Sequence, residues 1–394
     1  MTAPAREQLE QGLKSGLAAV HAGRAVARYL RRTQAGEIRI ADRALSAESG
    51  IWVLALGKAA PNMLAEVETA VGDRIRGGLA VAPDGHFAEA PRTIAARAAG
   101  HPIPDQRSER AALDLLSLVR AIPSEDVLLL LLSGGTSALT TCPASGLKLA
   151  DLEETNRLLL ASGAEIGEVN AVRKHCSCFS GGRLAAASGT RKIEVLAISD
   201  VVGDRPDVIG SGPCSPDPTT FADALEVVNR FGLDGRIPTR VMEHLDRGVQ
   251  GQRQESPAPG DPSLQGASYR IIAANVDARQ AACEAGRRLG LRALDLGEVL
   301  GGEARVAGTR LAGLAQSLRS AHPTLLVAGG ETVVRVTGQG RGGRNQELAL
   351  AAALTWAESG APGVSLLAAG TDGRDGPTDV AGAFADGRTV VAAA

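Results

Sequence analysis

A chain of 394 residues exceeds what one hydrophobic core usually serves, so two domains are expected. Apolar residues make up 44% and charged residues 22%, which excludes disorder and fibrous repeats, and a net charge of -2 with mixed signs excludes a general field for polyanions or anionic membranes. Aromatic content of 2% leaves no stacking platform for nucleic acid, and five cysteines without disulfide-framework spacing point to a reducing, cytoplasmic setting.

Residues 4–34 carry apolar positions at helical spacing and are expected to be helical, behind a polar start that is unlike a signal peptide. The run 51–56 (IWVLAL) reads as a short buried strand ending at Gly57. Strand-like runs follow at 78–82, 127–132 and 193–198, with helical patterns at 106–121, 150–162 and 219–231. Such alternation implies an α/β fold with a Rossmann-like N-terminal domain and a mostly parallel sheet. The run 127–132, and 193–198 apart from Glu194, are apolar on successive residues, as strands covered on both faces are, and 127–132 is too short to cross a bilayer. Residues 248–268 (GVQGQRQESPAPGDPSLQGAS) lack apolar periodicity and are expected to link a domain of 1–247 to a smaller α/β domain of 269–394. In the latter, strands are expected at 269–273, 324–328, 332–337 and 364–368, and helices at 276–289, 303–319 and 345–356.

Three strands end in loops dense with Gly, Ser and charge, at the strand ends where open parallel sheets bind ligands. In Ser133-Gly134-Gly135-Thr136-Ser137, backbone N–H groups ahead of a helix start could hold a phosphate or carboxylate, although a turn capped by Thr136 or Ser137 would look the same. Lys58 after Gly57 could meet an anion as a point charge, or be solvated. Asp200 and Asp204 have the D-x-x-x-D spacing suited to Mg²⁺, or to acidic turns. The stretch 338–347 (GQGRGGRNQE) formally contains G-x-G-x-x-G but has no acidic residue about twenty positions on, so it reads as a phosphate-facing loop with Arg341 and Arg344. His175-Cys176-Ser177-Cys178 has no second ligand cluster and reads as core.

In order, LALGKAA (54–60), GHPIPDQRS (100–108), LLSGGTSAL (131–139), GAEIGEVNAVRKHCSCFSGGRLA (163–185), SDVVGDRPDVIGSGPCSPDPTTFADAL (199–225), AGGETVVRVTGQGRGGRNQELALA (328–351) and GTDGRDGPTDVAGA (370–383) resemble glycerate 2-kinases of the MOFRL type, across nearly the whole chain. The resemblance implies ATP-dependent phosphorylation of D-glycerate with Mg²⁺, in a site between a Rossmann-like domain and a smaller MOFRL domain. It implies Lys58, Arg344 and Asp200 as catalytic residues and Asp200 with Asp204 as metal ligands. Ser133, Gly134, Gly135, Thr136, Ser137, Asn170, Arg173, Glu331 and Asp372 would bind substrate or phosphate. Partners are then ATP and glycerate, without nucleic acid or membrane; the oligomeric state stays open, a homodimer being one option.

Two positions depart from the family pattern: Ser180 stands where lysine is usual and Cys176 where leucine is. The chain also stops at Ala394, before a T-G-P-T-G-T-N-V-like segment that the family pattern continues into. The competing activities are an NAD(P)H-dependent hydroxypyruvate reductase and a catalytically weakened binding protein.

Overall fold

The computed structural model describes residues 1–318, 322–360 and 363–393. The chain divides into two units, Ala22–Ala273 and Met1–His21 with Ala274–Ala394.

The larger unit is built on a six-stranded parallel sheet. In space its strands run Ala95–Ala99, Ile75–Pro83, Ile51–Leu56, Val127–Leu132, Ile193–Ile198 and Ala267–Ala273. Ile51–Leu56, Val127–Leu132 and Ile193–Ile198 appear where the apolar runs put them, and every residue of Val127–Leu132 is buried, as helices on both faces require. From Ile51–Leu56 the chain winds outward through two strands, then returns to place Val127–Leu132 on the other side of the first. The order therefore reverses between Ile51–Leu56 and Val127–Leu132, and a crevice opens at the carboxyl ends of such a pair. A three-stranded antiparallel sheet (Leu30–Arg32, Ile38–Ile40, Arg43–Ala44) belongs to the same unit.

The segment 248–268 does not separate the units. Ala267–Ala273 pairs in parallel with Ile193–Ile198 as the sixth strand of the large sheet, so 269–273 closes the first unit rather than opening the second. The polar atoms before it are engaged there: Asp217 N donates to Pro257 O at 2.9 Å and Arg183 Nη1 to Ser256 Oγ at 2.8 Å. The helical pattern of 4–34 is likewise divided, into helices Ala3–Ala19 and Ala22–Tyr29 and the strand Leu30–Arg32.

The smaller unit combines a parallel pair, Arg292–Asp295 with Thr324–Val327, and an antiparallel pair, Ser365–Ala369 with Gly382–Asp386. Trp356, 1% exposed, anchors a core between helices Ala304–Ser317 and Arg344–Ser359, and its indole N–H donates to Ala312 O at 3.2 Å. The expected helix 303–319 ends at Ser317, Arg319 lying outside the described residues. Residues 332–337 form no strand; a single bridge joins Val333 to Glu303. The N-terminal helix Ala3–Ala19 packs on Asn275–Arg288 through Gly16, where an added Cβ would lie 3.0 Å from the Ala278 carbonyl oxygen. Arg6 covers the Phe384 ring at 4.5 Å, and the Met1 ammonium pairs with Asp386. Among the described residues, no helix is long and apolar enough to cross a membrane.

Candidate active site

The two loops at the reversal point are laced together. Gly57 turns at φ +111°, where a side chain would run into the Ser133 backbone. Lys58 N then donates to Gly134 O at 2.9 Å and Ala59 N to Ser133 Oγ at 3.1 Å, while Ser133 Oγ donates to Leu56 O at 3.1 Å. The buried Ser133 hydroxyl is thus spent on holding the loops, and Thr136, also buried, donates to Ser133 O at 2.8 Å. What the loop offers outward is backbone. The N–H groups of Gly134, Gly135, Thr136 and Ser137 have no acceptor among the described residues, and no side chain caps the short helix Thr136–Leu139. The capping alternative is therefore set aside.

Gly134, Gly135 and Ser137 border a cavity of about 340 Å³. Asn156, Asn170, Arg173, Ser180, Asp200 and Ser211 also line it, which brings together six of the thirteen residues singled out from the sequence. The Asp200 carboxylate lies against Gly134, where any added side chain would strike it. Ser137 Oγ and Ser211 Oγ are 2.8 Å apart, and Ser211 Oγ donates to Asn170 Oδ1 at 3.4 Å, so a hydroxyl chain joins the Gly-rich loop to the helix Ile166–His175. Ser211 holds φ +59° between Gly210 and Gly212, which are left-handed too; three such residues in a row at a cavity wall mark a strained, over-determined loop. Sequence reasoning missed Ser211, although G-S-G inside DVIGSGPCS was the available signal.

Lys58 and Asp204 are not among the cavity's lining residues; Asp204 turns at φ +51° with its N–H on Val201 O at 3.1 Å. Beside Lys58 stands His101, another residue not anticipated: a Cβ on Gly135 would fall 3.0 Å from its ring and 3.5 Å from Lys58 Cγ. Burial, then the Lys58 and His86 charges, push the His101 pKa down, so the ring is neutral near pH 7. Pro102 and Pro104 of the same motif line the cavity, and Asp105 and Ser108 form the reciprocal cap of helix Gln106–Arg120.

In the smaller unit Arg344 pairs with Glu331, and Asp372 is exposed with Oδ1 accepting from Arg374 N at 3.3 Å. Asp375, 1% exposed, accepts from Asn345 N at 2.9 Å and Gln346 N at 2.8 Å and so caps the helix Arg344–Ser359 from outside.

Cys142 and Cys178 form a disulfide with Cα atoms 5.6 Å apart, contrary to the expectation that no cysteines pair. Their spacing of 36 residues hid what the Pro143–Ser177 bridge brings together. Cys176 and Cys214 are buried thiols, pushed up to about 12 by burial. His175 is a core residue, as expected, bonded to Ala171 O at 2.8 Å and Glu255 at 3.0 Å.

The comparisons agree along the chain. A domain of unknown function, DUF4147, matches residues 8–246, and the MOFRL family matches 324–394. A Pyrococcus horikoshii glycerate 2-kinase is 39% identical over 86% of this chain and 76% of its own length. The chain belongs to the DUF4147–MOFRL glycerate kinase family. A second family member, the D-glycerate 2-kinase of Thermotoga maritima, is 39% identical over 86% of this chain and 79% of its own length. The crystal structure of a Thermotoga maritima glycerate kinase covers 98% of this chain, which covers 88% of it, with a TM-score of 0.81 at 34% identity.

Proposed function

We propose that this chain transfers the γ-phosphoryl group of ATP to the 2-hydroxyl of D-glycerate, giving 2-phosphoglycerate and ADP. The supporting observation is the cavity at the reversal point, lined by Gly134, Gly135 and Ser137 of a loop whose N–H groups lack acceptors among the described residues, together with Arg173 and Asp200. Phosphoryl transfer asks mainly for alignment and charge neutralisation. In this reading the loop N–H groups receive an oxyanion, Lys58 and Arg344 neutralise charge on the transferred group, and Asn170 and Arg173 hold the acceptor. Glu331 would hold Arg344 in place, and Asp372 remains a proposed binding residue.

Mg²⁺ fits the hard-oxygen donor at Asp200, and Asp200 with Asp204 would hold it. No group of three or more His, Cys, Asp or Glu gathers for a metal among the described residues, but Mg²⁺ commonly takes one or two carboxylates with phosphate oxygens. Once bound, it would neutralise phosphate charge.

The reductase alternative needs a dinucleotide pyrophosphate at a free helix N-terminus behind the 338–343 glycines. There the Asp375 carboxylate already takes the N–H groups of Asn345 and Gln346, and no strand precedes the loop. ADP release measured with ATP, Mg²⁺ and D-glycerate, beside NADH and NADPH oxidation with hydroxypyruvate, tests the proposal. Glycerate-dependent ADP release is expected. Hydride oxidation without it would replace the reading by the reductase, and neither activity would leave a binding protein.

A further inference from the structure

A buried cation is costly unless something negative meets it. Lys174 obeys, with Asp217 at 2.7 Å and Asp207 at 3.6 Å. Its half-buried neighbour Arg173 does not. Among the described residues no carboxylate pairs with Arg173, and its hydrogen bond runs from Nε to Asn156 Oδ1 at 2.8 Å. Burial alone pushes its pKa down, with no charged neighbour offsetting it, and a guanidinium stays protonated regardless. Neither Nη atom is enclosed in the wall without a partner, and Arg173 lines the cavity, so the free side of the fork faces open space. Among the described lining residues Arg173 is the one cation and Asp200 the one carboxylate.

We infer that Arg173 clamps the carboxylate of the phosphoryl acceptor, its two Nη groups taking both oxygens of a small 2-hydroxy acid while Asn156 fixes the guanidinium through Nε. A single positive charge suits a monoanion, whereas a triphosphate there would need further cations that this wall does not supply. Asn170, three residues earlier on the same helix, is within the same wall for the acceptor's hydroxyl. With no acid bound, the half-buried guanidinium has given up part of its solvent for one neutral hydrogen bond to Asn156, and a bound carboxylate supplies the anion it lacks. The inference rests on the kinase reading, and an oxyanion at Arg173 could belong to either substrate, so both are varied separately.

The experiment compares wild type, Arg173→Met and Arg173→Lys, each checked for fold by circular dichroism and melting. KM is measured for D-glycerate and for ATP, with glycerol as the acceptor lacking a carboxylate. Losing two charge-assisted hydrogen bonds should raise the glycerate KM of Arg173→Met by roughly a hundredfold. The ATP KM and the weak use of glycerol should be unchanged, and Arg173→Lys should recover little, since an ammonium cannot fork. Arg157, on the helix that carries Asn156 but exposed and paired with Glu154, serves as control, Arg157→Ala leaving every constant unchanged. An unchanged glycerate KM, or a rise confined to ATP, overturns the inference. Should wild type release no ADP with glycerate, the kinase reading fails first; the clamp is then read from melting. A glycerate-induced rise in Tm in wild type that Arg173→Met lacks would uphold it, and no such rise in wild type would overturn it.

Discussion

Lys174→Met tests how the cavity wall is anchored. Lys174 is 2% exposed and its ammonium donates to Asp217 Oδ1 at 2.7 Å, an atom that also accepts from Thr219 N at 3.0 Å and Thr219 Oγ1 at 2.6 Å. Asp217 Oδ2 is enclosed without a hydrogen bond, so the carboxylate depends on Lys174 for its charge balance. Burial pushes the Asp217 pKa up, but the Lys174 and Thr219 hydrogen bonds and the Lys174 charge outweigh it and hold it below the usual carboxylate range. Removing the ammonium while keeping the methylene stem leaves an uncompensated buried charge, a loss of about 3–5 kcal/mol. At about 2–4 °C per kcal/mol for a unit of this size, Tm should fall by roughly 6–20 °C. The pH dependence has a definite sign. A depressed folded pKa contributes stability that is present above the unfolded carboxylate pKa and lost as pH falls through the folded value. Wild type should therefore lose stability on acidification from neutral pH, and Lys174→Met should lose less, having already forfeited that term. Scanning calorimetry at pH 7, 4 and 3 reads both effects, the last point lying below the unfolded carboxylate value of about 3.9. Lys174→Met/Asp217→Leu should recover part of the loss, because apolar replacement of a buried pair is often neutral. A single variant melting within about 1 kcal/mol of wild type, with the same acid sensitivity, would refute the reasoning.

Lys58→Ala should lower kcat and kcat/KM together by roughly a hundredfold if the ammonium acts on charge developing in transfer, whereas a raised KM alone would assign it to substrate grip. The same change should raise the His101 pKa, because the Lys58 charge helps hold it down; histidine NMR titration reads this, and an unmoved pKa would contradict their proximity. Ser211→Gly removes a left-handed non-glycine residue but breaks the hydroxyl chain, so stability should change by less than about 1 kcal/mol while turnover falls; full activity would show the chain to be incidental. Asp375→Ala should cost about 1–2 kcal/mol through the lost cap, measured by urea unfolding, and an unchanged midpoint would deny the cap.

The strands around the site were legible because 51–56, 127–132 and, apart from Glu194, 193–198 are apolar on both faces, a pattern that other elements of that length seldom share; Glu194 is buried there as the partner of Arg43. The loops proposed to bind ligand were marked by glycines and hydroxyls directly after those strands. The unit boundary did not. Loop composition in 248–268 fits a linker and a hydrogen-bonded surface segment equally well, and only the pairing of Ala267–Ala273 decides between them. Nor does any local pattern in Ala3–Ala19 say that its partner is Asn275–Arg288; long-range packing leaves only small residues such as Gly16 as its trace.

Within the site, the limit is set by direction. Arg173 and Lys174 are adjacent basic residues on one helix, and sequence alone gives them the same chemistry. Successive helical residues point about 100° apart, so two neighbours need not face the same surroundings. Lys174 turns to Asp217 and becomes part of the frame, while Arg173 turns to the cavity and keeps its charge uncompensated. The same logic separates Ser133 from Ser137: one hydroxyl is consumed between two strand ends, the other reaches Ser211. A motif therefore yields a set of candidate residues, and the paired or unpaired state of each side chain separates groups open to a ligand from those that hold the wall in place.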